Sequence, residues 1–173
     1  GLLEVNLLQF HAQVKLGLFV VFAVVAAVNL HAAAERIGGQ VIEAHLLGQG
    51  YVSVKPEAFD KARALFPGEV LAFIQETQPK EWARLASLHG EQTGDQILGD
   101  LCKWMDSNGA LATLRHGFKC YGRALQVAFF RAAHELNPEL EARYAANRLG
   151  LTRQLRYSAR SENSLDVTLS LNG

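Results

Sequence analysis

The sequence predicts an α+β domain: helices first, then a mostly antiparallel sheet interrupted by one helical insertion. Three observations carry this. Up to residue 115 the apolar residues recur three and four apart, the period of a helix with one buried face. From residue 122 the spacing falls to two, the period of a half-buried strand. The final ten residues, SLDVTLSLNG, alternate strictly, with Leu165, Val167, Leu169 and Leu171 against Asp166, Thr168, Ser170 and Asn172. Hydrophobic residues make up 49% and charged ones 20%, the composition of a folded chain and not of a disordered one.

Residues 40–47 read as a helix closed by Gly48 and Gly50, and residues 51–54 as an extended piece running to Pro56. Residues 56–66 read as a helix through Phe59, Ala62, Leu65 and Phe66, broken by Pro67 and Gly68; residues 69–77 form another, with Val70, Phe73 and Ile74 on one face. Pro79 suits a first helical position, where a missing N–H costs nothing, and Glu81 complements the positive helix end. That helix buries Trp82, Leu85 and Leu88 and ends at Gly90. Thr93 is the expected cap of a longer helix through Ser107, striped by Ile97, Leu98, Leu101, Trp104 and Met105 and stopped at Gly109. Both tryptophans are thereby assigned to the core, not to base stacking.

A short helix is expected over 110–115, ended by His116 and Gly117. Leu125, Val127 and Phe129 predict a strand over 122–130. A helix starts at Pro138, with Leu140 and Tyr144 inward. Leu149, Leu151, Leu155 and Tyr157 share one parity and predict a second strand over 149–157. The polar stretch 158–163 turns the chain into the last strand. Asn172-Gly173 is the strongest two-residue hairpin signal, because a type I′ turn needs positive φ at both central residues.

The formal net charge of zero hides an asymmetry. Residues 1–110 hold eight Lys/Arg against twelve Asp/Glu, and residues 111–173 hold nine against five. Arg143, Arg148, Arg153, Arg156 and Arg160 follow one another without an intervening acid. Such a basic half attracts a polyanion or is simply a solvated surface; charge alone leaves both open. Cys102 and Cys120 lie far apart with no CxxC, which fits neither a zinc site nor a disulfide framework and points to a reducing compartment. The six histidines form no HxxxH pair; His116, between Arg115 and Gly117, is the one in suggestive company, and a structural role is favoured for it.

Residues 1–37 are out of character with residues 38–173 and are separated from them as an atypical hydrophobic segment. Residues 16–28 are almost wholly apolar, with Lys15 before them and His31, Ala32, Ala33 and Ala34 after. A signal-peptide core, a short membrane anchor and a stretch not native to the domain all match that pattern. The apolar run is shorter than the ~20 residues that a bilayer core requires.

The chain carries no GxxxxGK[ST] loop, GxSxG elbow, GxGxxG or HExxH. Any chemistry must then rest on carboxylates, or the chain is not an enzyme. Asp166 is the best candidate, since an acid in mid-strand costs β propensity and Ser164 and Thr168 beside it are small and polar. Such a face can admit hydrated Mg²⁺, which takes one or two carboxylates plus water and phosphate oxygens. A solvent-facing Asp on an edge strand is the competing reading. One strand carboxylate is not sufficient; a second acid and a lysine are needed, and the adjacent strand of a hairpin is where geometry puts them.

Residues 114–173 closely resemble the amino-terminal nuclease region of type I restriction enzyme R subunits. The residues that carry this are LRHGFK (114–119), the LNPEL and ANR pieces (136–148), RQLRYS (153–158) and the terminal SLD and LNG. Upstream, IEAHLLGQGYV (42–52) and LAFIQETQPKEW (71–82) look like that family too. The resemblance implies a restriction-endonuclease-like PD-(D/E)xK core, a mixed sheet flanked by helices that cuts duplex DNA with Mg²⁺. It puts Asp166 at the first acidic position of the motif, although Leu165 stands where the motif has proline. It puts the Glu-x-Lys element on the strand after the Asn-Gly turn, beyond Gly173, and an ATP-driven motor beyond that. Glu43 is the nearest match to the helix glutamate of many such nucleases, while Arg148, Arg153, Arg156 and Arg160 are the implied DNA contacts. Arg153 shares the parity of Leu151 and Leu155, which would tie it up internally.

What the resemblance implies is therefore a cytoplasmic, DNA-cleaving subunit that works with methyltransferase and specificity subunits, with ATP needed only by the motor. The chain itself is expected to be an inactive partial nuclease domain, and residues 1–37, which have no counterpart in the family, are read as artefactual. The alternative is a non-enzymatic, membrane-tethered or exported helical binding module, with residues 16–28 as anchor and the basic half as its docking surface.

Overall fold

Two prolines set the helical half of the molecule. In the computed structural model, which describes residues 39–131, 138–158 and 160–173, Pro67 opens helix α2 (Pro67–Thr77) and Pro79 opens α3 (Pro79–His89). Each is followed by a glutamate in the first turn, Glu69 and Glu81, where the helix dipole favours an anion. Before them come α1 (Gly39–Gly48) and the short strand β1 (Val52–Ser53). After them come α4 (Thr93–Asn108) and α5 (Ala110–His116). Residues 1–37, with their apolar run, lie outside the described residues. Among the described residues no helix is long and apolar enough to cross a membrane.

Most of the faces predicted from periodicity are the ones that pack, but Leu88 of α3 and Leu140, both expected inward, are exposed at 66% and 40%. Val70, Phe73 and Ile74 of α2 meet Leu85 of α3 and Ile97 and Leu101 of α4 in one core, with Trp82 and Trp104 partly buried against it. Phe73 and Ile74 are 1% and 0% exposed, so truncating either to alanine costs about 2–5 kcal/mol. Thr93 behaves differently from its predicted role. It is the first residue of α4, not its cap, and its hydroxyl donates back to the Gly90 carbonyl at 2.6 Å.

Residues 56–66 do not form the predicted helix. Only Pro56–Ala58 makes a 3-10 turn, and Phe59 is already extended. The cause is Asp60, whose carboxylate accepts from the backbone N–H of Ala62 at 2.8 Å and of Arg63 at 3.1 Å, and from the Arg63 guanidinium at 2.8 Å. A local turn held in this way competes with helix. It closes with Ala64 at φ 56° and an antiparallel bridge from Asp60 to Leu65.

The predicted strand over 122–130 is also corrected. Phe118–Cys120 (β2) and Arg123–Leu125 (β3) form a hairpin of their own, with Tyr121 and Gly122 at φ 47° and 74° in the tight turn. Beyond Leu125 two side-chain amides stand where a partner strand would. Gln78 Oε1 accepts from Gln126 N and Gln78 Nε2 donates to Gln126 O, both at 2.8 Å. Asn147 binds the backbone N–H and C=O of Phe129 in the same manner. Gly117, at φ 70°, sits so close to the Leu125 carbonyl that a Cβ there would lie 2.1 Å from its oxygen.

The sheet that bears Asp166 has the order β1-β4-β5, where β4 is Leu149–Arg156 and β5 is Ser164–Leu171. β1 is parallel to β4, and β4 is antiparallel to β5 from Leu149↔Leu171 to Arg156↔Ser164. The helical insertion α6 (Pro138–Ala145) precedes β4. Mixed α+β architecture with small, mostly antiparallel sheets is thus what the chain adopts. Within β4, Gln154 takes φ 52°, and the strand pair's apolar side chains divide at that point. Leu151, Val167 and Leu169 pack with Leu46 and Tyr51, whereas Leu155 and Leu165 pack with Val54 and Phe66. The single parity predicted for 149–157 does not describe one face.

Candidate metal and nucleic-acid site

Asp166 sits in the middle of β5 and is exposed. Across the ladder stands Gln154, whose Nε2 donates to Asp166 Oδ1 at 3.0 Å while its Oε1 accepts from Ser164 Oγ at 3.2 Å. The carboxylate is thus oriented by a neutral amide within reach of solvent. Gln154 has no signal in the sequence pattern; the opposing register of two strands creates the contact. Thr168 does not continue this polar face. Its Oγ1 is buried, as is that of Thr152 directly opposite, and neither hydroxyl has a hydrogen-bond partner.

Glu43 lies on α1, where Oε2 accepts from Arg153 Nη1 at 3.1 Å. α1 therefore meets the sheet through an ion pair as well as through Ile42 and Leu46, and Arg153 is engaged within the fold. Arg148 binds Glu76 at 2.6 Å, and Arg156 binds Glu162 at 2.8 Å. Arg160 is exposed in the turn before β5, with its backbone N–H bonded to Ser158 Oγ at 3.0 Å. These arginines are spread over several elements. Exposed pairs such as that of Arg156 are cheap to break, so they can be exchanged for phosphate contacts.

β5 ends in a second constellation. Asn172 and Gly173 take φ 57° and 94°, both positive as a type I′ turn requires. The Asn172 side chain is buried, 3% exposed. Its Oδ1 accepts from Arg148 N at 2.7 Å, and its Nδ2 donates to Val127 O and to Asn147 Oδ1, both at 2.9 Å. Gly173 O accepts from Phe66 N at 3.1 Å.

Mg²⁺ needs more than this array supplies. Asp166 is one oxygen donor, Glu43 is turned to Arg153, and among the described residues no group of three or more His, Cys, Asp or Glu is gathered to hold an ion. The residues present do not complete a Mg²⁺ site, and no hydrolytic step follows from them alone. No family model matches the chain, and no curated protein or solved structure is found to be similar to it.

Proposed function

We propose that the chain is part of the nuclease domain of a type I restriction R subunit, which in the intact, cytoplasmic protein cuts duplex DNA with Mg²⁺. What supports the reading is the placement of Asp166. The residue that matches the first acid of the motif stands solvent-accessible in mid-strand, oriented by Gln154, on a strand that ends in two residues with turn dihedrals. A metal held there would stabilise charge on the scissile phosphate and help generate the attacking hydroxide once a second acid and a lysine join it.

Asp166 is then a first metal ligand. Arg156 and Arg160 are the arginines best exposed for phosphate, Arg148 becomes available if Glu76 releases it, and Arg153 positions α1 through Glu43. Methyltransferase and specificity subunits are the protein partners of the intact subunit, and ATP serves a separate motor. Reading the codons that follow Gly173 tests the proposal. A strand bearing Glu-x-Lys followed by a helicase-like motor supports it, whereas an open reading frame without either overturns it.

A further inference from the structure

Residues 107–131 contain four Lys/Arg and no Asp or Glu. The β2–β3 hairpin gathers the middle of that stretch: Arg115 at the end of α5, Lys119 on β2 and Arg123 on β3 are all exposed. Arg84 of α3 is joined to them through Glu81, whose carboxylate lies 3.0 Å from Arg84 Nη1 and 3.9 Å from Arg123 Nε. The two arginine side chains are 55% and 47% exposed and Glu81 only 28%, so more cation than carboxylate faces solvent.

Tyr121 stands at the tip of this hairpin. A two-residue turn with positive φ at both positions favours Asn, Asp or Gly at the first of them. Tyr121 takes φ 47° there, at a cost to the fold, and its side chain gains little burial in return, being 58% exposed. Its ring is braced by His89, the last residue of α3, with centroids 4.2 Å apart and planes at 61°. His89 Nε2 is buried without a hydrogen-bond partner, so the imidazole serves here as packing. A bulky residue kept in a sparsely populated backbone conformation, with its ring outward, points to a role outside the fold.

We infer that the β2–β3 hairpin binds single-stranded DNA, with Lys119, Arg123 and Arg84 on backbone phosphates and an unpaired base stacked on Tyr121. Every base has a π face, so an exposed aromatic ring beside a row of cations takes a strand without regard to its sequence. A duplex offers the same cations its phosphates, but its bases are stacked on one another and leave Tyr121 nothing to cover. The Arg84 and Arg123 contacts to Glu81 are exposed and cheap to exchange for phosphate. β2 and β3 form a sheet apart from the one that bears Asp166, and gripping a strand here needs neither that acid nor Mg²⁺. The inference therefore stands or falls independently of the nuclease reading.

The test is a metal-free titration. Fluorescein-labelled oligo-dT of about 15 nucleotides, long enough to cover one such site, is titrated with the full chain in EDTA at low salt and followed by anisotropy. A duplex of the same length and a poly-glutamate peptide are run beside it. Saturable binding of the single strand, tighter than that of the duplex, is expected. Tyr121→Gly suits the positive φ and so spares the turn; it is expected to weaken single-strand binding about fivefold or more and to leave duplex binding unchanged. Lys119→Gln is expected to weaken both and to lower the single-strand slope of log affinity against log salt by about 0.7. If Tyr121→Gly does not fold, Tyr121→Asn, which fits the same turn, decides. No saturable single-strand binding, an unchanged affinity without the Tyr121 ring, an equal loss on the duplex, or equal binding of poly-glutamate overturns the inference.

Discussion

Asn172 Nδ2 donates to Asn147 Oδ1 at 2.9 Å, joining the end of β5 to the residues that follow α6. Each of these carboxamides also binds main chain: Asn147 holds Phe129, and Asn172 holds Val127 and Arg148. The irregular stretch after β3 is thereby sewn to the sheet by side chains in place of a strand ladder. Asn172→Ala removes three of these contacts and leaves an αL residue without the side chain that suits it. A loss of about 2–4 kcal/mol is expected, read as a lower midpoint in urea.

Gln78 acts in the same way on Gln126. Gln78→Ala is expected to cost about 1–3 kcal/mol. It should also speed amide exchange at Gln126, whose N–H is held at 2.8 Å by the Gln78 carboxamide. Unchanged protection at that amide would show that some other group holds it.

Asp60 gives the acid limb of stability a defined sign. Hydrogen bonds from the Arg63 side chain first, then from the Arg63 and Ala62 backbones, hold its carboxyl below the usual 3.8. A group whose pKa is lower in the folded state stabilises fully above its unfolded value and loses that contribution as pH falls through the folded one. Asp60→Asn should therefore flatten the loss of stability below about pH 4 and leave its slope near neutrality unchanged, measured by denaturant titration at each pH.

The two thiols should separate cleanly. Burial, with the Asp100 carboxylate adding to it, pushes Cys120 up to about 12. Cys102 is raised by burial, with Arg63 opposing, and is only partly covered. At mildly alkaline pH iodoacetamide should label Cys102 slowly and Cys120 only after unfolding, as read by peptide mass. Equal labelling of both in the native chain would contradict the packing of β2 against α4.

Much of the helical half was legible in the sequence because its signals are local. Pro79 and Gly109 bound their helices, and the stripe from Ile97 to Leu101 is the buried one. What failed depends on contacts made across the chain or on a side chain competing with the backbone. Nothing in the alternation of Leu125, Val127 and Phe129 reveals that Gln78 and Asn147 occupy the edge a strand would need. Asp60 outbids helix only because Arg63 and Ala62 fold onto it. At the site, the exposure of Asp166 followed from alternation, and the positive φ pair followed from Asn-Gly. Gln154 as its orienting partner, the Glu43–Arg153 pair and the burial of Asn172 required the register of β4 on β5.

The central claim is that Asp166 is a ligand of a nuclease metal. Its most direct test is Mg²⁺-dependent cleavage of linear duplex DNA by the intact subunit carrying Asp166→Asn, compared with the unmodified subunit. The account predicts loss of cleavage to background with the fold and DNA binding retained; cleavage at the unmodified rate would contradict it.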